Sequence, residues 1–185
     1  MLNFTATQQF DYQWRPLSWA RSDTTPAELL QWLAEPASLT ARLEKLGCLS
    51  VQVLQDTWGK PTQRERKKLG LRPREATRVR EVLLKLDNVA VIYARSIIPA
   101  RALVGHWRRL PKLGNQPLGG YLFKHKDLHR SPIEITQLPA HLFKGITQPV
   151  WARRSVFQQY GQGVLVNEAF LPAILHFTHR NQHSL

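Results

Sequence analysis

Between Arg78 and Ile98 the chain reads "RVREVLLKLDNVAVIYARSII", two runs of alternating character around the dipeptide Asp87-Asn88. A period of two marks a strand, and a turn-forming dipeptide between two such runs marks a tight hairpin. "PVWARRSVFQQYGQGVLVNEAFL" has the same design and turns at Tyr160-Gly161-Gln162-Gly163. Two shorter strands are expected at "LSVQVLQD", residues 49–56, and at "PIEITQL", where Ile133 and Ile135 are in phase. Helical spacing precedes them. Leu29, Leu30, Trp32 and Leu33 follow Thr25, a candidate N-cap, and Pro26 at the first helical position. Leu39, Leu43 and Leu46 follow Ser38 as cap, with Gly47 as the stop, which completes a helical hairpin. Pro99 opens a helical or irregular stretch to about Leu110, and Pro117 stands at a helix N1 position in "NQPLGGYLFKH". Segment 57–76, rich in Pro, Gly and charge, reads as a loop. Helices followed by about five antiparallel strands with helical insertions predict a single α+β domain over 25–173. An irregular arm, 1–24, and a loosely ordered tail, 174–185, flank it.

Composition changes this picture little, and charge changes it more. The 185 residues are 43% apolar and 21% charged, an ordinary folded composition. No run approaches the roughly eighteen apolar residues of a membrane helix. The start "MLNFTATQQFDYQW" lacks a basic segment followed by an apolar core, so no secretory signal is expected. The one cysteine, Cys48, fits a reducing compartment, and a cytoplasmic location is expected. Lys and Arg number 26 against 13 Asp and Glu, a net charge of +13 that favours anionic partners without naming one. The excess gathers in 59–75 and 105–114, where a solvated surface is the plain reading.

The arginines of the first hairpin are harder to place on a surface. If the hairpin is symmetric about its turn, Leu86 faces Val89 and Arg80 faces Arg95 on an otherwise apolar face. Like charges opposed across two strands are unfavourable and ask for a counter-anion. A one-residue slip of register would separate them instead. In the last strand Val164, Val166, Glu168 and Phe170 share a face, so Glu168 also points inward. Two arginines and a glutamate there form either a structural ion cluster or the polar floor of a site for a small anion. A helix starting at Pro117 adds the free amides of Leu118, Gly119 and Gly120, a carboxylate-binding feature.

Other signals are weaker. His125 and His129 are four apart but lack a third ligand, and His176, His179 and His183 sit in the tail. Neither a Walker loop nor a GxGxxG, a nucleophile elbow or a zinc-finger spacing occurs, so neither a cofactor nor a metal is expected.

"REVLLKLDNVAVIYARSIIP", "LGNQPLGGYLF", "IEI", "WARRSVF" and "NEAFLP" together resemble the chorismate lyase family, in the family's order and nearly its spacing, across about residues 25–173. The resemblance implies a six-stranded antiparallel sheet with helices, an enclosed site beneath helical flaps, and conversion of chorismate to 4-hydroxybenzoate and pyruvate without a cofactor, the entry step of ubiquinone biosynthesis. It places Arg80 on the ring carboxylate, assisted by the backbone amide of Leu118. It places Glu168 at the ring hydroxyl and Leu39, where the family motif has methionine, in the flap. Arg95 would take the second carboxylate.

On that reading Arg80, Arg95 and Glu168 carry the 1,2-elimination, with Glu168 a candidate acceptor of the C4 proton. A monomer is expected, with chorismate and 4-hydroxybenzoate as its small-molecule partners and weak contact with an anionic membrane surface. Two rivals differ in class. The fold resembles the ligand-sensing domain of bacterial transcription regulators, so a non-catalytic aromatic-carboxylate binder is one. The chain leaves no room for a winged-helix domain ahead of the sheet, which weighs against it. The other is a basic nucleic-acid-binding protein, but segment 57–76 holds a single aromatic ring, Trp58, and no stacking platform.

Overall fold

The structure, a computed structural model, describes residues 10–20, 25–104, 107–124 and 127–182. Among these residues eight strands form one antiparallel sheet: β1 (Arg15–Pro16), β2 (Leu49–Gly59), β3 (Thr77–Leu86), β4 (Val89–Pro99), β5 (His129–Arg130), β6 (Glu134–Leu138), β7 (Val150–Gln159) and β8 (Gln162–Phe170). Their order is β1-β6-β7-β8-β4-β3-β2, with β5 pairing onto β7. Six of them are longer than two residues, as expected for this α+β domain. Among the described residues six α-helices accompany them: α1 (Ala27–Leu33), α2 (Leu39–Leu43), α3 (Gln63–Leu69), α4 (Ala100–Leu103), α5 (Leu118–Leu122) and α6 (Ala173–Gln182). Among the described residues no helix is long and apolar enough to cross a membrane.

Both long hairpins close through two-residue turns with positive φ at each position, Asp87 and Asn88 at 48° and 66°, Tyr160 and Gly161 at 49° and 76°. Such turns match the strand twist. The first hairpin does not stay symmetric. Leu86 faces Val89 and Lys85 faces Ala90, but Leu84 then faces Ile92, so Val91 is an extra residue. A bulge of this kind shifts everything beyond it by one position. Arg80 therefore faces Ser96, Glu81 faces Arg95, and the two arginines lie on opposite faces of the sheet. The symmetric pairing is corrected here.

One face carries Val82, Leu84, Ala94 and Phe170 and packs against Trp32 and Leu33 of α1, Leu39 and Leu43 of α2, and Ile174 and Phe177 of α6. The other carries Leu83, Tyr93 and Ala169 and is covered by Phe10 and Phe143. Phe10 is fully buried and stacks on Tyr93 at 5.7 Å, so the arm is anchored at its described end. The tail is likewise corrected. Residues 173–182 are helical, and Trp32 Nε1 donates to Thr178 Oγ1 at 3.0 Å. Ile174, Phe177 and Thr178 share one helix face at spacings of three and four, which seats α6 on α1.

Segment 57–76 is not a loop. β2 extends to Gly59, and Thr62 and Glu65 form a capping box that starts α3, which ends at Gly70 with φ 57°. The reciprocal bonds satisfy two amides that a helix start leaves open. Ser38 caps α2 as expected, accepting from the Ala41 amide at 3.3 Å. Thr25 does not cap α1: Pro26 occupies that position, and Pro117 occupies the same position before α5 rather than N1.

Candidate active site

A largely enclosed cavity, with about 530 Å³ of empty space including its mouth, lies between the sheet and two short helices. Its floor alternates from four adjacent strands: Arg80 and Val82 on β3, Ala94 and Ser96 on β4, Glu168 on β8, Arg153 on β7. Its roof is Leu39 and Thr40 of α2 against Leu118 and Gly119 of α5. The two roof helices touch so closely that a Cβ on Gly119 would lie 2.7 Å from Thr40 Oγ1.

Arg80 and Glu168 mark opposite ends of the floor. Arg80 aligns through Ser96 with Val166, two residues from Glu168 and two strands away. With strands roughly 4.8 Å apart and a rise of about 3.3 Å per residue, their backbones are about 12 Å apart, with both side chains lining the cavity between them. Arg80 is 2% exposed. Its Nη1 donates to Asp56 Oδ2 at 2.7 Å, and its Nη2 donates to the carbonyls of Gly114 and Gln116 at 2.7 and 3.0 Å. Asp56 is shared with Arg78, whose Nε donates to Oδ1 at 2.5 Å, so one carboxylate orients two arginines and leaves net positive charge. The carbonyl contacts also fix the loop leading into Leu118.

At the other end Glu168 is not isolated among apolar groups. Arg153 Nε donates to Glu168 Oε2 at 2.7 Å. Arg153 Nη1 donates to the carbonyls of Trp32 and Glu35 at 3.0 and 2.9 Å, closing the C-terminal end of α1. Beside it, Arg130 donates to Ser155 Oγ at 3.0 Å and to the carbonyls of Glu35 and Pro36, both at 3.0 Å. Burial first, then the neighbouring Arg153 charge, pull the Arg130 guanidinium down to about 10. The Glu168 and Glu35 carboxylates oppose that shift and offset it only in part.

Arg95 is not in the cavity, and its assignment to a ligand carboxylate is corrected. The bulge turns it to the opposite face, where Nε donates to Glu65 Oε1 at 3.0 Å and Nη1 pairs with Glu81. Asn167 Nδ2 also donates to Glu65 Oε1, at 3.1 Å. Burial alone would lower Arg95, but Glu65 and Glu81 outweigh it and hold the guanidinium above its ordinary value. Burial pushes the Glu81 carboxyl up despite Arg95. Burial and then the Glu81 charge push the Tyr93 hydroxyl up as well. A structural ion cluster and the lining of a cavity are thus separate in the fold: Arg95 pairs with Glu65 and Glu81 on one face, and Arg80 and Glu168 line the cavity on the other.

Four of the five expected residues, Arg80, Glu168, Leu118 and Leu39, meet around one cavity. Arg153 was missed, although counting outward from the Tyr160-Gly161 turn pairs it directly with Glu168. Among the described residues no group of three or more His, Cys, Asp or Glu could hold a metal. His129 is exposed, and His125 and His183 lie outside the described residues.

The fold is similar to that of solved regulator and effector domains. The effector domain of PhnF from Mycobacterium smegmatis superposes with a TM-score of 0.53 at 15% identity over 74% of this chain and 90% of that one. A GntR-family transcriptional regulator from Bacillus cereus gives 0.52 at 12% over 68% and 92%. Sequence carries the assignment further: the chain belongs to the chorismate lyase family, which it matches over residues 15–180. It is 41% identical over 174 residues to a "Probable chorismate pyruvate-lyase" of Azoarcus sp., covering 85% of this chain and 92% of that one. A protein of the same name from Halorhodospira halophila is 40% identical over 169 residues, covering 86% and 89%.

Proposed function

We propose that this protein eliminates pyruvate from chorismate to give 4-hydroxybenzoate, a precursor of ubiquinone. The observation that carries this reading is the placement of a buried arginine and a carboxylate at opposite ends of one roofed cavity in a chain of this family. Chorismate has a ring carboxylate on C1 and a hydroxyl on C4, para to each other. Arg80 takes the carboxylate through charge-assisted hydrogen bonds, with the Leu118 amide beside it. Glu168 accepts a hydrogen bond from the C4 hydroxyl and is the base nearest the C4 proton. The reaction removes that proton, breaks the C3–oxygen bond and forms the aromatic ring. It is redox-neutral, so no oxidant or reductant enters its balance. The roof of α2 and α5 excludes water and holds the ring in the reactive conformer.

The test is to incubate the purified protein with chorismate and follow both products. Equimolar 4-hydroxybenzoate and pyruvate support the lyase. Saturable 4-hydroxybenzoate binding without turnover favours the second reading, a non-catalytic aromatic-carboxylate binder, which the effector-domain fold suggests. The roof gives a further expectation. Gly119→Ala forces α5 away from Thr40, so 4-hydroxybenzoate should bind several-fold more weakly, with its release rate raised and the melting temperature little changed. Calorimetric titration and stopped-flow release check it.

A further inference from the structure

With Arg80 on the ring carboxylate and Arg95 on the far face, the second carboxylate of chorismate has no assigned cation. The substrate itself says where one is needed. The enolpyruvyl ether is on C3, next to C4, so its carboxylate lies beside the Glu168 end of the cavity. The cation lining the cavity at that end is Arg153. It is 2% exposed and directly opposite Glu168 across β7 and β8. Its Nε is engaged by Glu168 and its Nη1 by the α1 carbonyls, but Nη2 has no hydrogen-bond partner among the described residues. Arg130, the next cation, is engaged by Ser155 Oγ and two carbonyls, lies over the Phe157 ring at 5.2 Å, and does not line the cavity.

We propose that Arg153 receives the enolpyruvyl carboxylate through Nη2, an assignment that rests on the lyase reading above. The balance of the step shows what this contributes. The C4 proton goes to Glu168 and its electron pair forms the C3–C4 double bond of the aromatic ring. The C3–oxygen pair leaves on the enolpyruvyl oxygen, and the enolate then takes up a proton on carbon to become pyruvate. The leaving group passes through a dianion, and a guanidinium held at its carboxylate stabilises that growing charge. The product 4-hydroxybenzoate has no such carboxylate. Arg153 therefore distinguishes substrate from product, whereas Arg80 binds both.

That difference is the test. The probes are 4-hydroxybenzoate and 3-carboxymethoxy-4-hydroxybenzoate, an unreactive aromatic acid with an ether-linked carboxylate at the corresponding position. The parent protein should bind the dicarboxylate about tenfold more tightly than 4-hydroxybenzoate. Arg153→Met should lose that gain while its 4-hydroxybenzoate affinity stays within about threefold, and its kcat/KM for chorismate should fall at least tenfold. Arg153→Lys keeps the charge on Glu168 without the planar fork, so it covers the case in which the Met variant fails to fold; it should keep part of the gain. A parent that binds the two acids equally overturns the proposal, as do variants that lose both acids to the same extent, because a purely structural arginine would act on both. If chorismate is not turned over but the dicarboxylate gain is present and depends on Arg153, the subsite stands and the lyase reading falls.

Discussion

Arg80→Ala is expected to raise the KM for chorismate and the dissociation constant of 4-hydroxybenzoate together, each by on the order of a hundredfold. Both ligands carry the ring carboxylate, and a charge-assisted hydrogen bond to a buried guanidinium is the strongest polar interaction the floor offers. The fold should survive the change. Asp56 keeps Arg78, which donates from Nε to the carboxylate and from Nη2 to the Asp56 carbonyl at 2.9 Å, so no buried charge is left alone. The carbonyls of Gly114 and Gln116 lose their donor, which loosens the loop before Leu118 and adds to the loss of affinity. Isothermal titration with 4-hydroxybenzoate and steady-state kinetics with chorismate, beside a thermal melt, check this. An Arg80→Ala protein that binds 4-hydroxybenzoate like its parent would move the anion clamp elsewhere.

What the sequence made legible was local. Turn dipeptides and alternation placed both hairpins, and the alternation of β8 put Glu168 on the cavity face without any knowledge of its neighbours. The bulge at Val91 was not legible, because Val89, Ala90, Val91, Ile92 and Tyr93 are all apolar and carry no polarity mark to fix the register. One extra residue there sent Arg95 to the other side of the sheet, to a glutamate thirty positions away in the sequence. α3 was hidden by its charge, since Glu65 is its one fully buried residue and is itself charged. Its signal was a Thr followed three residues later by Glu, with a glycine at the far end. Arg153 was obscured by Arg154 next to it; the two point to opposite faces, and only the hairpin count separates them. The sheet order, with β8 between β7 and β4, is a tertiary fact that no local pattern encodes.

The Arg95 cluster gives the largest effect on stability. Arg95→Ala is expected to destabilise the protein by about 3–5 kcal/mol, because it strands two buried carboxylates. Glu65 is 0% exposed and Glu81 1% exposed, and Arg95 is their shared cation. For a chain of this size the melting temperature should fall by on the order of 10–15 °C. The deficit should also depend on pH in a definite sense. Burial already holds the folded Glu81 carboxyl above the ordinary carboxylate value, and loss of Arg95 raises it further. The folded state then keeps a proton that the unfolded state has released, so stability falls as pH rises from about 4.5 through that raised value. The gap between parent and variant should accordingly be narrow in acid and full near neutral pH, which melts across that range will show. Because the cluster lies behind the sheet, a folded Arg95→Ala protein, assayed well below its melting temperature, should still bind 4-hydroxybenzoate within a few-fold of the parent. A folded variant that has lost that affinity would return Arg95 to the ligand site. Retained binding alongside lost stability would leave Arg80, Glu168 and Arg153 as the charged groups of the cavity floor, with Arg95 as part of the support beneath it.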